Sequence, residues 1–135
     1  MTSATPTTTQ AVWPGLFYAD APAAIRFLVD AFGFEEVAAF AGETPDEIVH
    51  AELRWPLGGG IMLSTQGGEG DFGGIPAGVG SVYVVTDQPD ALFERAMAAG
   101  ATQVRGLRDE EHGSRGFSVR DPEGYYWSFG TYRGE

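Results

Sequence analysis

Hydrophobic and polar positions divide the first half of the chain into short segments of two kinds. A stripe at i, i+3, i+4 spacing (Ala24, Phe27, Leu28, Ala31 and Phe32) predicts a helix over residues 21–32. Residues 49, 51, 53 and 55 alternate with His50, Glu52 and Arg54, which predicts a strand with two unlike faces. Short apolar runs predict the other strands, so that the four strands cover residues 12–19, 34–41, 48–55 and 61–64. Pro14 places the first of them at a sheet edge or at a bulge. The order is β-α-β-β-β.

The second half predicts the same order of elements. A helix is expected over residues 89–99, and strands over 81–86, 102–106, 116–120 and 125–131. Between the halves, residues 66–80 hold seven glycines in fifteen positions. This composition predicts a flexible linker, with a flap over a cleft as a further role. We therefore expect a disordered tail (1–10), a first module (11–65), the linker, and a second module (81–135), which together form one domain over 11–133.

The two halves are also related by sequence. Residues 20–33 and 87–100 share five identities in fourteen positions at an offset of 67, where roughly one is expected by chance. Asp20 and Asp87 can cap the two helices, and Gly33 and Gly100 suit the left-handed position that ends them. The last strands align at an offset of 66. A doubled unit implies a pseudo-twofold axis, and the natural place for a site is a cleft shared by the copies.

Charge and composition exclude several functions. The formal net charge is −11 with only eight basic residues, which argues against nucleic-acid binding. No apolar run is long enough to span a membrane, and no secretory signal is visible. With no cysteine there is neither a thiolate nucleophile nor a thiolate metal site. A cytoplasmic location is expected.

Four segments carry a resemblance to a known superfamily: residues 17–34, 50–63, 85–101 and 113–132, the last containing GSRGFSVRDPEG. With the repeat, they resemble the vicinal oxygen chelate proteins, which include glyoxalase I, extradiol dioxygenases and bleomycin-resistance proteins. The match is nearest to the bleomycin-resistance-like and glyoxalase-like branches. The resemblance implies an α+β fold in which two tandem βαβββ modules form a curled mixed sheet around a shared cleft. It also implies a homodimer. Function does not follow from the fold, because the superfamily hosts enzymes and pure binders.

The metal positions of the superfamily can be located by that resemblance. Those of the first strands fall on Trp13 and on Gly80 or Ser81, and those of the last strands fall on Met62 and Ser128. None is a His, Glu or Gln of the kind the family uses. The inherited metal site is therefore predicted to be absent, and no cofactor is expected.

A different metal site is the alternative. His50 and Glu52 lie side by side on one strand face, and Glu36, Glu47 or His112 would have to supply a third ligand. The simpler interpretation is a hydrogen-bonded polar pair, with His112 a solvated loop residue. If the metal site exists, the resemblance implies a metal-dependent lyase, isomerase or dioxygenase of the same superfamily.

The predicted cleft has an aromatic and thioether lining. Trp13, Met62 and Ser128 occupy the former metal positions, and strand alternation points Phe17 and Tyr126 the same way. We expect ligand binding by the set Trp13, Phe17, His50, Glu52, Met62, Arg115, Tyr126 and Ser128, with no catalytic residue. By the resemblance, the leading function is metal-independent sequestration of a small aromatic or amphiphilic molecule, such as an antibiotic or toxic metabolite. An accessory subunit with a vestigial cleft is a third hypothesis.

Overall fold

A computed structural model describes residues 10–68, 71–111 and 113–134. The predicted tail, apart from Gln10, and His112 lie outside the described residues. The first module contains β1 (Gly15–Tyr18), α1 (Ala21–Phe27) with a π-helical continuation (Leu28–Phe32), β2 (Glu35–Ala41), β3 (Ile48–Arg54) and β4 (Gly60–Thr65). The second contains β5 (Ser81–Val85), α2 (Pro89–Ala98), β6 (Thr102–Asp109), β7 (Arg115–Arg120) and β8 (Tyr126–Gly130). The α+β class and the doubled βαβββ order are confirmed.

Each module builds its own four-stranded mixed sheet. The first sheet has the order β1-β4-β3-β2 and the second has the order β5-β8-β7-β6. In each, the first strand pairs in parallel with the last, and the other neighbours are antiparallel. The first strand therefore lies at an edge, which suits Pro14 immediately before β1 because proline cannot donate a ladder hydrogen bond.

The helix ends follow the predicted chemistry at three of four positions. The Asp20 carboxylate accepts a hydrogen bond from the Ala23 N–H at 3.1 Å, and Gly33 and Gly100 have φ of +93° and +102°, a conformation that costs glycine least. The prediction that Asp87 caps the second helix is wrong. Gln88 occupies the N-cap position, and the Asp87 carboxylate pairs instead with Arg133.

One hydrophobic core joins the two modules. The helix of the first module packs on its own sheet, and the ring of Phe32 also lies 5.4 Å from Trp127 and 4.7 Å from Phe129 in the second sheet. In the second module, Phe93 packs edge-on against Phe117 at 5.2 Å. Both helices thus cover the sheet faces that point towards the shared core. No helix of the described residues is long and apolar enough to cross a membrane.

The pseudo-twofold axis is visible where each module touches the edge strand of the other. The Tyr125 hydroxyl contacts both the N–H and the carbonyl of Phe17 in β1, each at 3.0 Å. On the other side, the Trp55 indole N–H donates to the Val85 carbonyl in β5 at 2.8 Å. Each edge is therefore held by a large aromatic side chain from the turn before the last strand of the other module.

Candidate functional site

Strand alternation gives each sheet an inner face on the core and an outer face turned away from it. In the first sheet, Leu53, Ile61 and Leu63 are buried on the inner face. Their neighbours alternate to the outer face, which carries Phe17, His50, Glu52 and Met62. Tyr126 and Ser128 alternate in the same way with the buried Trp127 and Phe129 of β8. These six predicted residues therefore lie on faces directed away from the common core.

The strand register identifies the pseudo-equivalent positions. Met62 pairs with Gly15, and its counterpart Ser128 pairs with Tyr83. The first strands are therefore related by an offset of 68, one more than the offset of 67 between the helices. Of the two residues suggested as the counterpart of Trp13, this register selects Ser81.

The side chains at these four positions do not fit the divalent metal of the superfamily. An indole, a thioether and two neutral hydroxyl groups are poor ligands for hard or borderline cations, which prefer imidazole and carboxylate. Among the described residues, no group of three His, Asp or Glu side chains is arranged to hold a metal ion. His112, one of the suggested third ligands, lies outside this part of the chain.

His50 and Glu52 form a hydrogen-bonded pair. The distance from His50 Nε2 to Glu52 Oε2 is 2.8 Å, and the two side chains are 37% and 34% exposed. The imidazole also stacks on the ring of Phe40, 6.4 Å away and tilted by 19°. The pair thus gives the outer face of the first sheet a polar group that remains within reach of a ligand.

Two cavities flank this pair on the first module. Trp13 and Glu52 line one of about 590 Å³. The Trp13 indole N–H donates to the nearby Gln10 carbonyl at 3.1 Å. The indole ring therefore offers this cavity an apolar surface. Phe17 lines a second cavity of about 380 Å³.

A residue that the sequence interpretation missed closes one side of the second cavity. Phe72, from the Gly-rich linker, stacks on Phe17 with ring centres 6.3 Å apart and an angle of 24°. It is 65% exposed. A single aromatic residue among glycines was the available clue that this segment lies over the site.

The outer face of the second sheet is organised in transverse rows. Tyr83, Ser128, Ser118 and Arg105 are successive neighbours across β5, β8, β7 and β6. The two serine hydroxyls are hydrogen-bonded at 2.7 Å. In the adjacent row, the Arg120 guanidinium lies 5.9 Å above the ring of Tyr126. This face combines aromatic rings, hydroxyls and arginine, and four of its members (Tyr83, Arg105, Ser118 and Arg120) were not predicted.

Arg115, the remaining predicted residue, is engaged elsewhere. Its guanidinium donates to both oxygens of Asp90 at 2.8 and 3.1 Å and to Asp109 at 3.2 Å. These bonds raise the pKa of Arg115 and lower that of the Asp90 carboxyl. Asp90 belongs to α2, so the Arg115 guanidinium is held by the helix, and Arg115 also lines a cavity that it shares with Tyr83 and Arg105.

Comparison with known proteins assigns the fold to a family. A family model described as the Glyoxalase/Bleomycin resistance protein/Dioxygenase superfamily matches residues 10–129. An uncharacterized protein of Mycobacterium bovis is 37% identical over 130 residues, covering 89% of this chain and 82% of that protein. Among solved structures, TioX from Micromonospora sp. ML1 superposes with a TM-score of 0.76 at 31% identity, covering 93% of this chain and all of that one (100%). An integron cassette protein from V. cholerae matches with a TM-score of 0.65 at 21% identity, covering 93% and 98%.

Proposed function

Because this chain belongs to the Glyoxalase/Bleomycin resistance protein/Dioxygenase superfamily, we propose that it binds a small aromatic or amphiphilic molecule without a metal ion. The ligand lies on the outer faces of the two sheets. One observation carries the proposal. By the resemblance, the four positions that hold the metal in the superfamily's enzymes correspond to Trp13, Met62, Ser81 and Ser128 here, and these side chains supply packing surface and hydroxyls.

The chemistry of the outer faces suits a flat organic ligand. On the first sheet, the thioether of Met62 lies beside the His50–Glu52 pair, and Phe17 stacks with Phe72. Aromatic and thioether groups give adaptable apolar contact, and a few fixed polar groups orient the ligand. The proposed role is sequestration of an antibiotic or a toxic metabolite by this surface.

A homodimer is part of the proposal. Proteins of this superfamily commonly form dimers and bind small molecules. In one chain both outer faces point away from the shared core, and large apolar side chains on and beside them stay open to solvent, including Phe40 at 59% and Tyr126 at 45% exposed. A second copy opposite these faces would turn each open surface into a cleft. Light scattering should therefore give twice the mass of one chain.

The direct test is a binding titration with 2-naphthamide, a neutral flat probe. At about −0.3 kcal/mol per atom, its 13 or so non-hydrogen atoms correspond to a Kd of about 1 mM. Ligand-observed NMR with probe concentrations to about 5 mM covers this range. We expect Met62→Gln to weaken binding by about tenfold, because a buried polar amide replaces the thioether in the contact.

Met97→Gln is the matched control. Met97 is a half-buried methionine of α2 that packs against the core, so it should leave probe binding unchanged at a temperature where the variant is folded. A metal titration distinguishes the enzyme alternative. Stoichiometric binding of Ni²⁺, Zn²⁺, Mn²⁺ or Fe²⁺ that is lost in His50→Ala would contradict metal-independent binding.

A further inference from the structure

A cavity at one end of the second sheet's outer face is built around Arg105. It has a volume of about 290 Å³, and Tyr83, Arg105, Glu110, Gly130 and Tyr132 are among its lining residues. It continues the transverse row that contains Ser118 and Ser128, because Arg105 pairs with Ser118. The cavity therefore belongs to the surface to which we assign ligand binding.

Arg105 has unused hydrogen-bonding capacity. Its Nε atom is buried and has no acceptor among the described residues, an arrangement that is rare because it destabilises the fold. Its Nη2 atom is 3.5 Å from Glu110 Oε1, whereas Arg108 Nε approaches the same oxygen at 2.9 Å. One carboxylate thus serves two guanidinium groups, and Arg108 has the shorter bond. The cluster formed by Arg105, Arg108 and Glu110 has a net positive charge.

The floor and one wall of the cavity are flat. Gly116 and Gly130 are paired neighbours in β7 and β8. A Cβ atom added to Gly130 would come within 2.9 Å of the Tyr83 hydroxyl, so glycine allows the phenol to lie close over the strand. The Tyr83 hydroxyl is held there by donating to the Tyr132 carbonyl at 2.8 Å. A planar ring system can therefore extend from Arg105 along Tyr83.

Charge on this face is opposite to that of the protein. The chain has a formal charge of −11, and all eight of its basic residues are arginines. Arg105, Arg108 and Arg120 lie in three adjacent rows of the same sheet, paired with Ser118, Gly116 and Tyr126. Against an acidic background, this local positive charge favours an anion over a cation.

We propose that Arg105 is a specificity-determining residue that binds the carboxylate of an aromatic acid. The inference rests on the proposed function and adds the charge of the ligand. A guanidinium presents parallel N–H donors that match both oxygens of a carboxylate, and the aromatic part of the acid lies along Tyr83. Glu110 competes with the ligand, because both carboxylates seek the same guanidinium.

The test compares 2-naphthoate with neutral 2-naphthamide, which share one ring system. In wild type, 2-naphthoate should bind about tenfold more tightly, as expected for a charge-assisted bidentate contact. Arg105→Gln should abolish this preference, and Arg105→Lys should keep part of it because the charge remains. Glu110→Gln should strengthen 2-naphthoate binding by about threefold, since the competing carboxylate is removed. Binding of 2-naphthamide should stay the same in all three variants.

Arg26→Gln is the matched control. Arg26 is an exposed arginine of α1 that does not line the cavity, so this variant removes the same charge and the preference for 2-naphthoate should persist. Equal binding of the two probes by wild type would overturn the assignment of Arg105 and leave the proposed function standing. Failure of both probes to bind would overturn both. An equal loss of the preference in Arg26→Gln and Arg105→Gln, or no gain from Glu110→Gln, would also contradict the proposal. If Arg105→Gln does not fold, the results for Arg105→Lys and Glu110→Gln test the proposal.

Discussion

Asp121 is the centre of a buried hydrogen-bond network that joins the two modules, and its removal is the sharpest test of the fold described above. One carboxylate oxygen accepts from the backbone N–H groups of residues 123–125 at 3.0, 3.0 and 3.1 Å. The other accepts from the Tyr18 hydroxyl at 2.6 Å and the Trp127 indole N–H at 3.0 Å. The Asp121, Tyr18 and Trp127 residues are at most 4% exposed. Tyr18 comes from the first module, so this contact crosses the module boundary.

The cost of Asp121→Asn follows from the donor count. The amide oxygen of Asn can keep the three backbone bonds, but its NH₂ group then faces the Trp127 indole N–H, donor to donor. The Tyr18 hydroxyl can rotate to accept from this NH₂ group, but its own O–H and the Trp127 indole N–H have then both lost their acceptor. Each unsatisfied buried donor costs about 1–3 kcal/mol. We expect a loss of about 2–6 kcal/mol in the free energy of unfolding, or about 8–24 °C in Tm.

Urea unfolding at neutral pH measures this change, and a double-mutant cycle with Tyr18→Phe isolates the contact between modules. Tyr18→Phe alone should cost about 1 kcal/mol, and the pair should show a coupling energy of at least about 0.5 kcal/mol because the two residues share a bond. Asp71→Asn, at an exposed position of the linker, controls for the loss of charge. An Asp121→Asn variant as stable as this control would refute the reasoning, and strict additivity would refute the contact.

Three further predictions concern single contacts. Burial raises the pKa of the Tyr18 hydroxyl above its usual value. The neutral phenol therefore contributes fully to the stability of the folded protein below a pH of about 10, and this contribution is lost at higher pH. Tyr18→Phe should reduce the fall of Tm at alkaline pH. Trp55→Phe should lower the free energy of unfolding by about 1–3 kcal/mol, because the Val85 carbonyl loses its donor; no change by urea titration would contradict the contact. Arg115 lowers the pKa of Asp90, so Arg115→Gln should raise that pKa in a carboxyl NMR titration. The Tm of Arg115→Gln should be lower than that of wild type above a pH of about 4, and this difference should vanish as the pH falls through the pKa of Asp90. A Tm difference that grows in acid would contradict the Arg115–Asp90 pairing.

Local patterns were sufficient for the elements of the fold. Alternation along 48–55 separated the buried Leu53 from His50 and Glu52, and this separation holds in β3. Asp20 and Gly33 marked the ends of the first helical segment. These features depend on residues close in sequence, whose faces are set by the period of a strand or helix. With the repeat and the resemblance, they were enough to predict the family as well.

Interactions between distant segments could not be obtained from the same patterns. Asp87 has the sequence of a helix cap, but its carboxylate pairs with Arg133, 46 residues away. Arg115 was expected to bind the ligand, but packing against α2 brings its guanidinium to Asp90, 25 residues away in the chain. A side chain with several potential partners takes the one that the tertiary fold brings within reach, and propensity carries no information about that distance.

The sequence by itself determined the doubled βαβββ order and the inner and outer strand faces. The tertiary structure alone decided the register that matches Trp13 with Ser81, the stacking of Phe72 on Phe17, and the cavity around Arg105. The reason is physical. Periodicity and residue chemistry are local properties, whereas strand register and the cavities between strands arise only when segments far apart in the chain pack together.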